Sequence, residues 1–244
     1  MNTGRRLFEH TDLRVERAGN PLAKTGGRWL RSPGVDIEDP KDVVRRGYDA
    51  VSRLYDEVYG ADTKYASVLG ELCGRLPPGA AVLDVGCGSG VPVARTLAAA
   101  GHRVTGVDIS EVQIRRARER VPQAEFIRAD VTALAFAAAS FDAVVSFYAL
   151  IHIPPAEQPP LLRRIAGWLR PGGSFAATTG HGAWTGSEDD WLGGGAPMWW
   201  SHADAATNRA WITEAGLTVE REDYLPEGAG GHALFWARRP SKPT

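Results

Sequence analysis

A short apolar run that ends in closely spaced glycines constrains this chain more than any other feature. The run Ala81 to Val85 is followed at once by Gly86, Gly88 and Gly90. An apolar run of this length is typical of a buried strand, and glycine has no Cβ, so the turn lets a ligand approach the backbone. The segment therefore predicts a strand, a ligand-binding turn and a following helix, as in nucleotide-binding α/β folds.

The chain after this turn repeats the alternation of strand and helix. Further strands are predicted at 103–108, 124–129, 141–147 and 173–178, with helices at 91–100, 110–120 and 158–169. Strands separated by helices favour a parallel sheet that is covered on both faces. We therefore expect an α/β fold with a doubly wound, mainly parallel sheet of Rossmann-like type.

The last two predicted strands are connected differently. Segments 218–224 and 232–237 are joined by the glycine-rich stretch 226–231, which is short enough for a hairpin. The sheet is thus expected to have seven strands and to end in an antiparallel hairpin. Before it, 181–203 holds several tryptophans and is too long for an ordinary connector, so we interpret it as a lid or substrate loop.

The N-terminal part divides into an arm and two helices. Residues 1–40 show no sustained period, and seven basic residues against three acidic ones precede Gly34, which predicts a flexible basic arm. A solvated tail is favoured over a binding site for an anionic partner. Two helices are expected within 41–77, and a single domain within 41–244, with its cofactor core at 80–180.

Composition excludes several classes of function. The chain has 28 basic and 29 acidic residues and a net charge of -1, so no overall positive field attracts nucleic acid. Its two cysteines, Cys73 and Cys87, form neither a disulfide framework nor a metal motif. No apolar run approaches the roughly 20 residues that span a bilayer. We expect a cytoplasmic protein without metal, membrane or nucleic-acid partners, and a homodimer is compatible with the sequence.

The glycine spacing favours one class of nucleotide ligand. A dinucleotide fingerprint that begins at Gly86 needs glycine at position 91, where this chain has Val91, and no lysine followed by Ser or Thr makes a P-loop. S-adenosylmethionine fits better because it has no phosphate to neutralise, and Asp84 suits its ammonium group. Asp108, about 20 residues past the turn, is placed to accept ribose hydroxyls, and Asp130 ends the next strand near the adenine amine.

Five ordered motifs together resemble the class I S-adenosylmethionine-dependent methyltransferase family, in its small-molecule branch. They lie at 82–90, 107–110, 129–130, 141–145 and 169–173, and the resemblance spans about 82–237. The resemblance implies that the methionine part of the cofactor contacts Asp84, Gly86, Cys87, Gly88 and Gly90. It implies further that Asp108 binds the ribose, Asp130 the adenine amine, and that the remaining contacts come from Ile109, Val131, Ser146 and Phe147.

Candidate catalytic residues follow from the chemistry of methyl transfer, which is an in-line displacement that needs a base when the acceptor atom carries a proton. His152, after the fourth core strand, is the leading base, and the alternative is that it holds its loop by hydrogen bonds. His202 is a second candidate, against a surface role. Tyr48 is a third, against plain core packing.

The acceptor is expected to meet Tyr148, Trp199 and Trp200, although the two tryptophans could instead only bury their loop. The predicted function is methyl transfer to an oxygen or nitrogen of a small molecule, with a slight preference for oxygen. Alternatives are a non-methylating enzyme with the same cofactor, a non-catalytic regulator acting through the arm and, least favoured because of Val91, a nicotinamide dehydrogenase.

Overall fold

The computed structural model describes residues 38–59, 64–227 and 230–241, together with the backbone of two short strands. These are β1 (Lys24–Thr25) and β2 (Arg28–Trp29), which pair antiparallel and which the sequence pattern did not predict. The rest of the expected basic arm, up to residue 37, lies outside the described residues.

The helices of the described residues surround a central sheet. They are α1 (Pro40–Tyr59), α2 (Lys64–Arg75), α3 (Val93–Ala99), α4 (Glu111–Arg120), α5 (Gln158–Trp168) and α6 (Ala205–Glu214). The sequence reasoning missed α6. Its signals were present, because Asp204 caps it by accepting from the backbone N–H of Thr207 at 2.8 Å and Gly216 follows it with φ +91°. None of these helices has the length and apolarity that crossing a bilayer would require.

Nine further strands complete the described fold. They are β3 (Ala81–Val85), β4 (Arg103–Asp108), β5 (Glu125–Arg128), β6 (Phe141–Ser146), β7 (Leu169–Gly180), β8 (Trp184–Glu188), β9 (Met198–His202), β10 (Thr218–Glu227) and β11 (Gly230–Arg238). Seven of them form one sheet in the order β10-β11-β7-β6-β3-β4-β5. The pairs from β5 to β7 are parallel and β11 runs antiparallel to both neighbours, which confirms the predicted fold class.

Helices cover both faces of this sheet, as a parallel sheet requires. Along β7, Phe175 joins one apolar cluster with α5 and α6, and its neighbour Ala176 joins a second cluster with α2, α3 and α4. On β11, Phe235 and Trp236 divide between the same two clusters. Successive residues of a strand point to opposite faces, so each strand contributes to two cores.

The segment expected to be a lid loop is instead an antiparallel hairpin. Strands β8 and β9 pair from Trp184 opposite His202 to Glu188 opposite Met198. Aromatic residues favour strands, and the buried side chains of Met198 and Trp191 pack on Val44 and Val51 of α1 in a third apolar cluster. Packing against α1 therefore orders a segment that its length alone had marked as irregular.

Small residues let α1 and the hairpin approach each other closely. A Cβ added at Gly47 of α1 would lie 2.6 Å from both Met198 Cε and the carbonyl oxygen of Pro197. On the other side, a Cβ at Gly194 would lie 2.3 Å from Val51 Cγ1. Any larger side chain at either position would force the two elements apart.

We predict that Gly47→Ala destabilises the fold by about 1–3 kcal/mol, because overpacking outweighs the gain in helix propensity. Gly70→Ala in α2 is the matched control, since nothing lies within 4 Å of its added Cβ and alanine should stabilise a helix by about 0.5–1 kcal/mol. Urea unfolding of both variants measures the difference. Equal stabilisation by the two substitutions would show that α1 and the hairpin are not closely packed.

Candidate active site

A cavity opens where the parallel strands end, beneath α1. This edge of an open α/β sheet is where ligands bind, because the carboxyl ends of the strands and the turns after them converge there. The sequence-predicted site residues that line the cavity are Tyr48, Asp84, Gly86, Cys87, Gly88, Asp108, Ile109, Asp130, Val131, Phe147, Tyr148 and His152. Gly90, Ser146, Trp199, Trp200 and His202 lie outside the lining.

The glycine turn is fixed to the neighbouring strand. The backbone N–H groups of Gly86 and Cys87 donate to the carbonyl oxygen of Val107, at 2.8 and 3.0 Å. Gly86 has φ +73°, and a Cβ there would lie 2.1 Å from the Cβ of Ala149. Glycine is therefore required at position 86 for both its backbone conformation and the close approach of the segment after β6.

Two predicted cofactor residues have other surroundings. A Cβ on Gly90 would meet the side chains of Phe126, Val121 and Ala117 at 3.2–3.4 Å. Gly90 has φ +77°, so it suits both the turn and the close approach of the turn to α4 and β5. Ser146 is fully buried inside the sheet. The cofactor contacts expected of both residues remain predictions.

Asp84 is a buried carboxyl with an open acceptor. Its side chain is 2% exposed, and its Oδ2 has no hydrogen-bond partner among residues 38–59, 64–227 and 230–241. Burial, with a smaller contribution from the nearby Asp108, raises the pKa of Asp84 to about 8. A buried acceptor of this kind fits a cationic ligand group, because a positive charge would compensate for the lost hydration of the carboxylate.

Asp108 is held by the backbone around it. Its Oδ2 accepts from the N–H of Gly88 at 2.9 Å and its Oδ1 from the N–H of Ser110 at 2.8 Å. Burial raises the pKa of Asp108 to about 6, although these hydrogen bonds oppose the increase. The carboxyl of Asp108 is therefore fixed in position at the end of β4, next to the glycine turn.

Lys41 occupies the end of the cavity near Asp130, and the sequence reasoning missed it. Lys41 Nζ donates to Asp130 Oδ2 at 2.7 Å and to Glu157 Oε2 at 2.8 Å. Thr132 donates to Asp130 Oδ1 through its N–H at 2.8 Å and its hydroxyl at 2.7 Å. Burial alone would raise the pKa of Asp130, but these hydrogen bonds outweigh it and lower the pKa. A ligand that binds to Asp130 must therefore share its carboxylate with Lys41.

Polar contacts hold α1 over the cavity. Asp49 accepts from the Ser110 hydroxyl at 2.6 Å, directly after β4. Asp56 accepts from the Ser89 hydroxyl at 3.1 Å, in the glycine turn, and forms ion pairs with Arg116 and Arg120 of α4. With Lys41 bound to Asp130 at its start, α1 is therefore attached to the ends of β5, β4 and β3. These are the three strand ends that the cofactor is expected to span.

His152 connects three parts of the site. Its Nδ1 lies 2.7 Å from the carbonyl oxygen of Trp199, and since a carbonyl only accepts, Nδ1 carries the hydrogen. Its Nε2 then accepts from the Tyr48 hydroxyl at 3.0 Å. Burial, only partly opposed by the bond to Trp199, lowers the pKa of His152 to about 4. The neutral ring thus ties α1 and β9 to the turn after β6, which fits the loop-holding alternative for His152.

The two predicted substrate tryptophans pack away from the lining. Trp199 and Trp200 are partly buried against the cluster that joins α1 to the hairpin, and the Trp200 ring lies 5.8 Å from that of His152. His202 also lies outside the lining, where its Nδ1 is 2.7 Å from the carbonyl oxygen of Gly182. The geometry favours the alternative in which both tryptophans bury their own segment.

Comparisons with known proteins agree with this geometry. A family model described as a methyltransferase domain matches residues 82–173, which contain the glycine turn and the strand ends up to β7. Residues 82–173 of this chain thus match a methyltransferase domain, and the chain is similar to S-adenosylmethionine-dependent methyltransferases. The matched domain and a neighbour with bound S-adenosylmethionine support the cofactor that the sequence predicted, and the open buried acceptor on Asp84 fits its ammonium group.

Among the methyltransferases it resembles, 27-O-demethylrifamycin SV methyltransferase of Amycolatopsis mediterranei (strain S699) is 35% identical over 155 residues, which are 54% of this chain and 56% of that protein. The chain thus spans about half the length of this curated relative.

Two solved structures share the fold of this chain. One is the Burkholderia thailandensis 1,6-didemethyltoxoflavin-N1-methyltransferase with its substrate and S-adenosylhomocysteine, at a TM-score of 0.67 and 21% identity over 87% of this chain and 94% of that one. The other is the magnesium protoporphyrin IX methyltransferase of Synechocystis PCC 6803 with bound S-adenosylmethionine. Its TM-score is 0.66, with 21% identity over 84% of this chain and 100% of that one.

We predict that this chain releases protons when it binds S-adenosylhomocysteine near pH 7. Asp84, whose pKa is about 8, is mostly protonated at that pH, and the ligand's ammonium group favours the ionised form. Binding enthalpies measured by calorimetry in phosphate and in Tris should differ, because the released proton is taken up by the buffer. The expected difference is at most the difference between the ionisation enthalpies of the two buffers, for one proton. Asp84→Asn should remove most of this buffer dependence, and an unchanged dependence would exclude Asp84 as the proton donor.

Acid should destabilise the folded chain through His152. Its pKa is about 4 in the folded chain and near 6.5 when unfolded, so the unfolded chain binds the proton more tightly between these values. The stability that the neutral ring provides is complete above pH 6.5 and is lost towards pH 4, by roughly 3 kcal/mol. Urea unfolding across this range should show a smaller loss for His152→Gln. Parallel pH profiles for the two proteins would contradict the buried neutral histidine.

Proposed function

We propose that this chain transfers a methyl group from S-adenosylmethionine to an oxygen or nitrogen of a small-molecule acceptor. The observation that carries the proposal is that one cavity is lined by the acids Asp130, Asp108 and Asp84 and also by Tyr148 and His152. A row of strand-end acids suits the cofactor, and an aromatic end in the same cavity suits an acceptor. The site is thus built to bring two ligands together.

Each acid has a proposed partner on the cofactor. Asp84 binds the ammonium group, Asp108 the ribose hydroxyls, and Asp130, shared with Lys41, the adenine amine. Ile109 and Val131 line the same cavity and provide apolar walls for the adenine ring. S-adenosylmethionine, when bound, supplies a methyl group on a positively charged sulfonium. The chain's own task is therefore to position the acceptor atom and to exclude water.

Aromatic residues and the cover formed by α1 would perform this task. Phe147, Tyr148 and Tyr48 line the cavity, and aromatic faces attract cations by about 0.5–2 kcal/mol each in favourable geometry. Tyr48 is fixed by its hydrogen bond to His152, and burial raises its pKa well above the usual value, so it stays a neutral phenol. The proposed role of Tyr48 and His152 is to hold α1 closed over the reacting groups.

A small acceptor is favoured over nucleic acid. The net charge of -1 gives no broad positive surface, and the cavity lies under α1 rather than on an open face. The similar proteins named above are called methyltransferases of a rifamycin, a toxoflavin precursor and a protoporphyrin. A cytoplasmic location and a homodimer remain predictions.

Labelled methyl transfer tests the proposal. The chain is incubated with S-adenosylmethionine that carries a labelled methyl group and with a metabolite extract, and we expect label in a small molecule together with S-adenosylhomocysteine.

Asp108→Ala should weaken cofactor binding in calorimetry roughly 10- to 100-fold, because hydrogen bonds to charged groups are worth about 1.5–3 kcal/mol. Glu214→Gln, which removes an exposed carboxylate at the end of α6, is the control. Cofactor binding without any labelled product would contradict methyl transfer.

A further inference from the structure

A cluster of four polar residues lies where the cavity meets the end of β5, and we call it the Lys41 cluster. Lys41 lies in α1, Asp130 and Thr132 follow β5, and Glu157 directly precedes α5. Lys41 and Asp130 line the cavity, and the other two contact Lys41 from outside the lining. Asp130 has a proposed role in cofactor binding, so its three neighbours decide what kind of ligand group it can meet.

The hydrogens of the Lys41 ammonium group are all used by its neighbours. Lys41 Nζ donates to Asp130 Oδ2 at 2.7 Å, to Glu157 Oε2 at 2.8 Å and to Thr132 Oγ1 at 3.2 Å. An ammonium group has three hydrogens, so these three described partners take all of them. Burial alone would lower the pKa of Lys41, but the hydrogen bonds to Asp130 and Glu157 outweigh it and raise the pKa. Lys41 therefore stays charged and keeps its hydrogens directed at the cluster.

The carboxylate of Asp130 keeps one acceptor position. Its Oδ1 accepts from the N–H and the hydroxyl of Thr132, at 2.8 and 2.7 Å, and its Oδ2 accepts from Lys41. An ionised carboxylate has about four lone pairs, so the contacts with described residues leave one of them, on Oδ2. The Asp130 side chain is 27% exposed and lines the cavity, so a ligand can reach this position. The Lys41 cluster is therefore suited to a ligand group that donates a hydrogen bond.

We propose that Lys41, Thr132 and Glu157 make the site select a purine with an amino group at position 6 over one with a carbonyl oxygen there. This inference rests on the methyl-transfer function proposed above, in which Asp130 meets the adenine amine. The amine donates to the remaining lone pair of Asp130 Oδ2. A carbonyl oxygen at the same place would face a carboxylate that only accepts, and the hydrogens of Lys41 are already bound.

Glu157 is a positioning residue that acts through Lys41. It lies outside the cavity lining and its side chain is 37% exposed. Within the described residues its carboxylate contacts Lys41 rather than capping α5, so its removal should affect the helix little. Glu157→Ala would free one Lys41 hydrogen beside Asp130 Oδ2, and a carbonyl oxygen at position 6 could accept it. Loss of a carboxylate outside the cavity should thus improve the binding of the disfavoured ligand.

Calorimetry with S-adenosylhomocysteine and S-inosylhomocysteine measures this selectivity without turnover. The purine of the first ligand has an amino group at position 6, and that of the second has a carbonyl oxygen. We expect the original chain to bind S-adenosylhomocysteine about 5-fold or more tightly, because the second ligand leaves the acceptor of Asp130 without its donor. Measurement at pH 8, about four units above the usual pKa of an aspartate, keeps Asp130 ionised in every variant.

Three variants complete the test. Glu157→Ala should lower the affinity ratio of the two ligands about 3-fold or more, through tighter binding of S-inosylhomocysteine. The double variant Glu157→Ala with Lys41→Met should lose this gain, because the freed hydrogen belongs to Lys41. Glu119→Ala, which removes an exposed carboxylate of α4, is the matched control and should leave the ratio unchanged. A variant that folds poorly would bind both ligands more weakly and would not show tighter binding of S-inosylhomocysteine.

The outcomes separate the two proposals. If S-adenosylhomocysteine does not bind the original chain, the proposed function itself fails. If it binds but S-inosylhomocysteine binds equally well, the selective role of the Lys41 cluster is wrong and the methyl-transfer function still stands. The same holds if Glu157→Ala leaves the ratio unchanged, or if the gain persists in the double variant.

Discussion

The pairing of β3 with β4 sets Asp84 opposite Gly106, two residues before Asp108, so both acids lie next to the glycine turn, and the rest of the site depends on this pair. Both carboxyls are buried, and burial raises both of their pKa values. For Asp84 the increase from 3.8 to about 8 means that ionisation costs on the order of 5 kcal/mol more than in water. A fold that keeps such a group inside a cavity is arranged for a ligand whose positive charge offsets that cost.

The cover over this pair is part of the same arrangement. The helix α1 reaches the end of β4 through Asp49, the glycine turn through Asp56 and the Asp130 end through Lys41. On its other side α1 packs on the β8–β9 hairpin, and His152 links both to the turn after β6. Because one helix contacts the cofactor side and the hairpin, any movement of the cover would affect the cofactor and acceptor ends together.

Sequence patterns predicted the parts of the site that depend on local order. The positions of Asp84 and Asp108 followed from the predicted strands, since parallel strands end at one edge, Asp84 is the last residue but one of β3 and Asp108 ends β4. The same spacing did not show that a Cβ at Gly90 would meet the Phe126 side chain at 3.2 Å. The cap of α6 at Asp204 was a local signal that the reasoning overlooked.

Other features had no local signal. Lys41 contacts Asp130 across 89 residues, and His232 reaches Tyr148 only because β11 joins the sheet next to β7. The β8–β9 hairpin is ordered by its packing on α1, so its aromatic composition alone did not decide between strands and a loop. Long-range packing therefore decides the side of the cavity proposed for the acceptor, whereas local order decides much of the side proposed for the cofactor.

A crystal structure of the chain with S-adenosylhomocysteine tests the central claim most directly. The account predicts that the ligand lies along the carboxyl edge beneath α1, with its ammonium group hydrogen-bonded to Asp84 Oδ2 and its ribose hydroxyls to Asp108. A ligand bound away from these two carboxyls, or bound there only after α1 has left the edge, would contradict it.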